Sequence, residues 1–358
     1  MIPYGHQSID EGDIAAVVAV LRGEWLTQGP AVDEFEQAMA SAVGARHAIS
    51  FATGTAALHG ACFAASLGPG DVVATSALTF SASASCARFV GAGVRLLDID
   101  ADTLNIDPTA VPSDVDALVA VHYAGLPVVL AALTHRPRVV IEDAAHAIGG
   151  STAAGPIGSC SHSDMCCFSF HPVKTITTGE GGMVTTNSEA LASRLRTFRS
   201  HGIERKPDLG AWYYEISSLA PNYRLTDIQA ALGTSQLRKL QRFVTERNDL
   251  AQRYYELLAD LPVQVPPDAP AGTTHGRHLF PIRVSDRRSV FEGLRRAGIG
   301  VQVHYVPLYK HPLHGAGLDP ADFPQTEAAY DGLISLPLFP SLSTSEQDRV
   351  VAALAGLV

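Results

Sequence analysis

The chain has 358 residues, enough for about two domains of ordinary size. Hydrophobic residues make up 46% and charged residues 17%, which excludes a disordered chain and supplies a large buried core. Acidic residues outnumber basic ones 36 to 26, a formal net charge of -10 that lacks the footprint of a nucleic-acid binder and is repelled by anionic lipid.

No apolar run is long enough to cross a bilayer; the best candidate, residues 118–133, is interrupted by His122, Gly125 and Pro127. The opening Met1-Ile2-Pro3-Tyr4-Gly5-His6 has neither a basic nor an apolar leader segment, so no secretory signal is expected. The cysteines are Cys62, Cys86, Cys160, Cys166 and Cys167, an odd set without a CxxC pair. They fit neither a disulfide framework nor a zinc site. The expectation is a cytoplasmic protein with reduced, buried thiols, no metal, and neither a nucleic-acid nor a membrane partner.

In chain order, Ser8-x-x-Glu11 reads as a capping box before an apolar helix over residues 14–21, closed by Gly23. Residues 31–43 are a second amphipathic helix. Short apolar segments of strand length come next, at 48–51, 71–74, 94–97, 117–121, 139–141, 165–168 and 182–185. Several are apolar on both faces, as strands of a mostly parallel sheet between helix layers must be. Residues 126–138 are short for a full helical crossover. Thr226-x-x-Gln229 caps a long helical stretch in which Ile228, Leu232, Leu240, Phe243, Leu250, Tyr254 and Leu258 recur at helical spacing. Pro262, Pro266, Pro267 and Pro270 then break the chain. A smaller α/β domain is expected beyond them, with strands at 278–284 and 300–305, a helix over 289–297 and a last helix from Ser345. The expected division is 1–250 and 251–358.

Three local signals carry chemistry. In Phe51-Ala52-Thr53-Gly54-Thr55-Ala56-Ala57-Leu58 a strand ends, glycine permits a tight turn and a helix starts. The free N–H groups of that helix end and the Thr55 hydroxyl suit a phosphate, although strand–Gly–Thr–helix is also ordinary capping. In Val139-Val140-Ile141-Glu142-Asp143-Ala144-Ala145-His146 two carboxylates and a histidine succeed a buried strand, at the carboxyl end where open sheets bind ligands. Asp143 could equally cap the next helix. In the segment 168–182, Lys174 sits in a turn-rich stretch fixed by Pro172 and glycines. An exposed loop lysine is the ordinary outcome; a desolvated one would have a lowered pKa and could form a Schiff base. Together the three suggest pyridoxal phosphate, which needs a phosphate cup, a lysine for its aldehyde and a carboxylate for its ring nitrogen. Thr55, Lys174 and Asp143 supply these.

The same segments, with Trp25-Leu26-Thr27-Gln28-Gly29-Pro30, Thr79-Phe80, Ser169-Phe170-His171-Pro172-Val173-Lys174, Asn222-Tyr223-Arg224-Leu225-Thr226-Asp227 and Val303-His304-Tyr305-Val306-Pro307, resemble the DegT/DnrJ/EryC1/StrS sugar aminotransferases over nearly the whole chain. The resemblance implies an aspartate-aminotransferase-like fold (fold type I), α/β, with a large mostly parallel sheet domain and a small C-terminal domain. It implies Lys174 as the lysine that condenses with the cofactor, Asp143 on the pyridine nitrogen, and Phe80 stacked on the ring. It places His146 near the phenolic oxygen and Gly54, Thr55 and Ser169 at the phosphate, joined there by Asn222 from the other subunit of a homodimer with shared active sites. Tyr4, Leu26, Thr27, Gln28, His304, Tyr305 and Tyr309 fall in segments that line the sugar-nucleotide side of such enzymes.

Within the family, Ile2-Pro3-Tyr4-Gly5-x-Gln7-Ser8-Ile9-Asp10, the segment 168–182 and Trp212-Tyr213-Tyr214-Glu215 look most like the UDP-4-amino-4,6-dideoxy-N-acetyl-β-L-altrosamine transaminases of pseudaminic acid synthesis. The implied substrates are a UDP-linked 4-keto-6-deoxy sugar and L-glutamate. Sugar dehydratases of this fold typically carry histidine where Lys174 stands, so lysine favours transamination.

Overall fold

Strands that are apolar on both faces need cover on both sides, and the chain supplies it by alternating them with helices. The computed structural model describes residues 1–358. It opens with α1 (Glu11–Leu21) and α2 (Pro30–Val43), then β1 (His47–Phe51), α3 (Gly54–Ala64), β2 (Val72–Ser76), α4 (Ala82–Phe89), β3 (Gly93–Leu97), β4 (Ala117–Val121) and β5 (Val139–Asp143). A two-residue ribbon, β6 (Ser151–Thr152) with β7 (Gly155–Pro156), precedes β8 (Met165–Ser169), β9 (Gly182–Thr186) and α5 (Glu189–Arg199). A second ribbon, β10 (Ile203–Arg205) with β11 (Tyr214–Ile216), leads to α6 (Asp227–Leu237) and α7 (Leu240–Leu257). The chain ends with β12 (Phe280–Arg283), α8 (Arg287–Arg296), α9 (Pro312–Gly315), α10 (Pro324–Gly332), β13 (Leu333–Leu336) and α11 (Thr344–Ala355).

Seven strands form one sheet in the order β1-β9-β8-β5-β4-β2-β3. Only β9 runs against its neighbours. Being antiparallel to both β1 and β8, it leaves β1 parallel to the remaining strands, so their carboxyl ends share one edge. The expected mixed α/β architecture is present. One face of the sheet packs Phe51, Ala57, Ala61 and Leu195; the other packs Phe35, Met39, Phe168 and Phe170. The connection after β4 is made by two single turns, 123–125 and 130–132, instead of a helix.

A second core gathers Phe280, Ile282, Leu294, Ile334, Leu336 and Val350 around the β12–β13 pair. The helix α7 joins both cores: Phe243 packs in the first, and Ala251 and Tyr254 in the second. On that ground we propose the domain division near residue 250. Ile2 packs in the second core and pairs with Ile299, so the chain's first residues cross over to it.

Four local expectations are corrected. The cap of α1 is a reciprocal Asp10–Asp13 box, not Ser8–Glu11, because Asp10 has the extended backbone a cap needs and its side chain reaches the Asp13 N–H. The long helix breaks at Arg238–Lys239 into α6 and α7, although its Thr226–Gln229 capping box is present. Residues 300–305 form no strand, only a single bridge of Gln302 to Ser335. The strand paired with β12 is β13, a four-residue buried run, Leu333-Ile334-Ser335-Leu336, that comes directly after a helix and is too short to show a period.

Asp227 closes one of the long-range contacts. It is buried, and its carboxylate accepts from the N–H groups of Gly29 (2.8 Å) and Ala31 (3.0 Å) at the start of α2. That satisfies orphan donors of a helix end 198 residues away. Asp227→Ala is expected to lower the unfolding free energy by about 2–3 kcal/mol in urea melts, the range for hydrogen bonds to a buried charge.

Candidate active site

The first signal folds as an N-terminal helix cup. Thr53 has extended backbone and its hydroxyl accepts from Ala56 N–H (3.0 Å), so α3 starts at Gly54. The N–H groups of Gly54 and Thr55 are left without intrahelical partners. Gly54 has no room for a side chain: a Cβ there would lie 2.8 Å from the Ser169 Cβ. Glycine therefore lets Ser169, the last residue of β8, close on the helix end.

Asp143 is the last residue of β5, on the shared carboxyl edge. Strand alternation separates the two carboxylates of the second signal. Glu142 turns away, accepting from the Ser163 hydroxyl and pairing with His122 Nε2 at 2.8 Å. Because His122 Nδ1 accepts from Val128 N–H, the His122 proton sits on Nε2 and Glu142 serves the fold. Asp143 faces the other way and accepts from Ser83 Oγ (2.7 Å) and Ala145 N–H (3.2 Å). Thr79 Oγ1, 2.8 Å from Ser83 Oγ, extends that chain of hydroxyls.

Lys174 lies in a turn, its N–H donating to His171 O (2.8 Å). Its ammonium makes no hydrogen bond, and the charge that acts on it is that of Asp143. Burial lowers its pKa to about 8, with Asp143 opposing the shift. The lysine of the third signal is thus half-buried and free, not an exposed loop residue.

These groups share one cavity of about 490 Å³. It is lined by Tyr4, Gly54, Thr55, Phe80, Asp143, His146, Ser169, Lys174, His304 and Tyr305 among the residues expected from sequence. His146 Nε2 lies 3.0 Å from the Tyr305 hydroxyl, and burial keeps its pKa well below the ordinary histidine value. His304 is lowered to about 4, by burial and then by the Lys174 charge; its Nδ1 meets Ser335 Oγ at 2.9 Å. Lys174 is the only lysine or arginine on the wall, where the carboxylates are those of Asp143 and Glu180.

Five expected residues lie outside this cavity. Leu26, Thr27 and Gln28 are exposed beside the start of α6, with Thr27 bridged to Thr226. Tyr309 is buried among Leu308, Leu96 and Phe323, stacked on Phe323 at 4.5 Å, and its hydroxyl donates to Glu327. Its contacts are packing contacts. Asn222 is exposed, accepts from Arg224 N–H (3.3 Å), and does not begin α6, whose cap is Thr226. Sequence reasoning passed over Thr53, Ser83, His171, Glu180 and His278. Ser83 was legible as the residue one helical turn after Thr79; His278 had no local signal.

The residues present fit pyridoxal phosphate. A helix end with free donors and a glycine-enforced close approach suits a phosphate, and an unpartnered lysine faces the same space as a buried carboxylate. The chain matches the DegT/DnrJ/EryC1/StrS aminotransferase family over residues 7–355. It is 36% identical, over 382 residues covering 100% of this chain and 97% of the relative, to the spore coat polysaccharide biosynthesis protein SpsC of Bacillus subtilis. Among solved structures it is similar to the putative sugar aminotransferase Spr1654 from Streptococcus pneumoniae in its PMP form, with 29% identity, TM-score 0.93, and 100% and 99% of the two chains covered. It is similar as well to Helicobacter pylori PseC, an aminotransferase involved in the biosynthesis of pseudoaminic acid, with 28% identity, TM-score 0.92, and 99% and 98% covered. Family and fold agree with the cavity on the cofactor, pyridoxal phosphate, and the chain belongs to the DegT/DnrJ/EryC1/StrS aminotransferase family.

Proposed function

We propose that this sugar aminotransferase moves an amino group from L-glutamate to C4 of a UDP-linked 4-keto-6-deoxy hexose. The observation that carries the reading is the free, desolvated Lys174 sharing a cavity with Asp143 and the open end of α3. The likeness to PseC supports the choice of sugar. When bound, pyridoxal phosphate acts as the electron sink for a substrate carbon that loses its proton. The N–H groups of Gly54 and Thr55, with the Thr55 and Ser169 hydroxyls, hold the phosphate. Asp143 holds a proton at the ring nitrogen, and Phe80 covers the ring face. Lys174, once free, takes the donor α-proton and returns it at the neighbouring carbon; on the sugar it works in reverse. Tyr4, His304 and Tyr305 shield that exchange from water. Turnover on a panel of UDP- and dTDP-linked 4-keto sugars, with product analysis, tests the assignment; preferred amination of a dTDP sugar, or at C3, would overturn the finer reading.

The lowered pKa of Lys174 has a kinetic consequence. At pH 7 roughly one in ten of these amines is neutral, against about three in ten thousand at the ordinary value. Cofactor uptake by the stripped protein is expected to accelerate up to about pH 8 and then level. Stopped-flow absorbance measures it; acceleration continuing beyond pH 10 would mean an unperturbed lysine.

We further propose a homodimer with shared sites. The β10–β11 ribbon and its flanks expose Trp212 (80%), Ile216 (67%) and Leu219 (99%), close to the exposed Asn222. Such an apolar projection suits burial against a second copy. Lys174→Ala and Asn222→Asp subunits should each be nearly inactive alone, since a carboxylate at 222 would repel the phosphate. Mixed in equal amounts, they are expected to recover about a quarter of wild-type activity, because one site of each mixed dimer collects both defects and the other none. No recovery after confirmed subunit exchange would assign Asn222 to its own subunit.

A further inference from the structure

His278 was silent in the sequence, yet it lines the cavity beside His146. The two ring centroids lie 4.4 Å apart with planes tilted by 38°. The backbone of His278 is pinned from two sides. Its N–H donates to Ala124 O (2.9 Å), and its carbonyl accepts from Arg247 (3.4 Å), a buried guanidinium that also donates to Leu338 O (2.8 Å). His146 is held less completely. It sits in the turn after β5, and its one side-chain hydrogen bond is the Tyr305 contact at Nε2. Its Nδ1 is buried with no partner. The Tyr305 ring also stacks on His146 at 20°, but its centroid is 6.1 Å away, so the nearer His278 ring, at 4.4 Å, is the tighter brace against rotation about Cβ–Cγ. The Nδ1 of His278 is also buried without a partner, so no hydrogen bond at that atom competes with the ring contact.

We propose that His278 is a positioning residue for His146: it fixes the imidazole plane by ring contact and so sets how His146 meets the cofactor. The proposal rests on the reading that pyridoxal phosphate binds this cavity at Lys174.

The test uses the full chain stripped of cofactor and titrated with pyridoxal phosphate, reading the dissociation constant and the visible absorption maximum. His278→Ala and His278→Asn are expected to weaken binding roughly three- to tenfold, the size of an aromatic contact, and to shift the maximum. His278→Phe keeps a ring and should stay within about twofold of wild type with an unshifted maximum. In a His146→Ala background, His278→Ala should add nothing, because the two residues act as one unit. Additive losses, a Phe variant as weak as Ala, or an Asn variant that binds like wild type would each overturn the proposal. If His278→Ala fails to fold, the comparison of Phe with Asn decides alone. A wild type that gains no visible band with the cofactor would sink the reading of the cavity itself, and the proposal with it.

Discussion

Lys174→Ala is expected to abolish transamination while the fold survives. On the proposed reading the residue carries two functions at once, the amine that condenses with the cofactor and the base that moves the substrate proton. A general base alone contributes roughly 10²–10⁴ in rate, so the variant should fall below wild type by at least about 10⁴. The fold has little to lose, because Lys174 lies in a turn and its ammonium makes no hydrogen bond. Stability should move the other way. The folded-state pKa, about 8, lies below the ordinary lysine value, so between pH 8 and roughly 10.5 the unfolded chain binds the extra proton. Stability of the stripped wild type therefore rises with pH through that window. Below it the half-buried ammonium is a cost, and Lys174→Ala should be the more stable protein at pH 7, an advantage that fades above pH 10. Urea melts at the two pH values measure this. Borohydride reduction of the cofactor-loaded wild type should fix the cofactor on Lys174; labelling of another lysine would refute the assignment.

Asp143→Asn should still bind cofactor but turn over more slowly by roughly 10²–10³ or more, the scale of removing a preorganised electrostatic group. The carboxylate is buried, and the Ser83 hydroxyl and Ala145 N–H that point at it both donate. Donors on that side hold the group as an acceptor, which suits a protonated ring nitrogen; the amide lacks the charge to keep that proton in place. Steady-state rates with the spectrum of bound cofactor separate the two effects. Near-normal turnover would reduce Asp143 to the residue that closes the turn after β5.

Family, fold class and the three chemical segments were legible because each is local. Strands apolar on both faces, a glycine between a strand and a helix, and a lysine among glycines are patterns within about 15 residues, set by period and backbone sterics. Residues 117–121 emerged with the bounds expected of them, since a strand buried along its whole length is apolar throughout. Tertiary structure decided what depends on partners far along the chain. The direction of β9 comes from pairing with β1 and β8, and side-chain period is the same in parallel and antiparallel strands. That Asp143 enters the cavity while Glu142 turns to His122 required the register of β5 against β4, since a slip of one residue would exchange them. Tyr309 was expected at the sugar-nucleotide side by resemblance; its packing against Phe323 and its hydrogen bond to Glu327 come from the tertiary structure. His278 entered the cavity because Ala124 and Arg247 hold its backbone there, contacts 154 and 31 residues away that leave no trace in the local sequence.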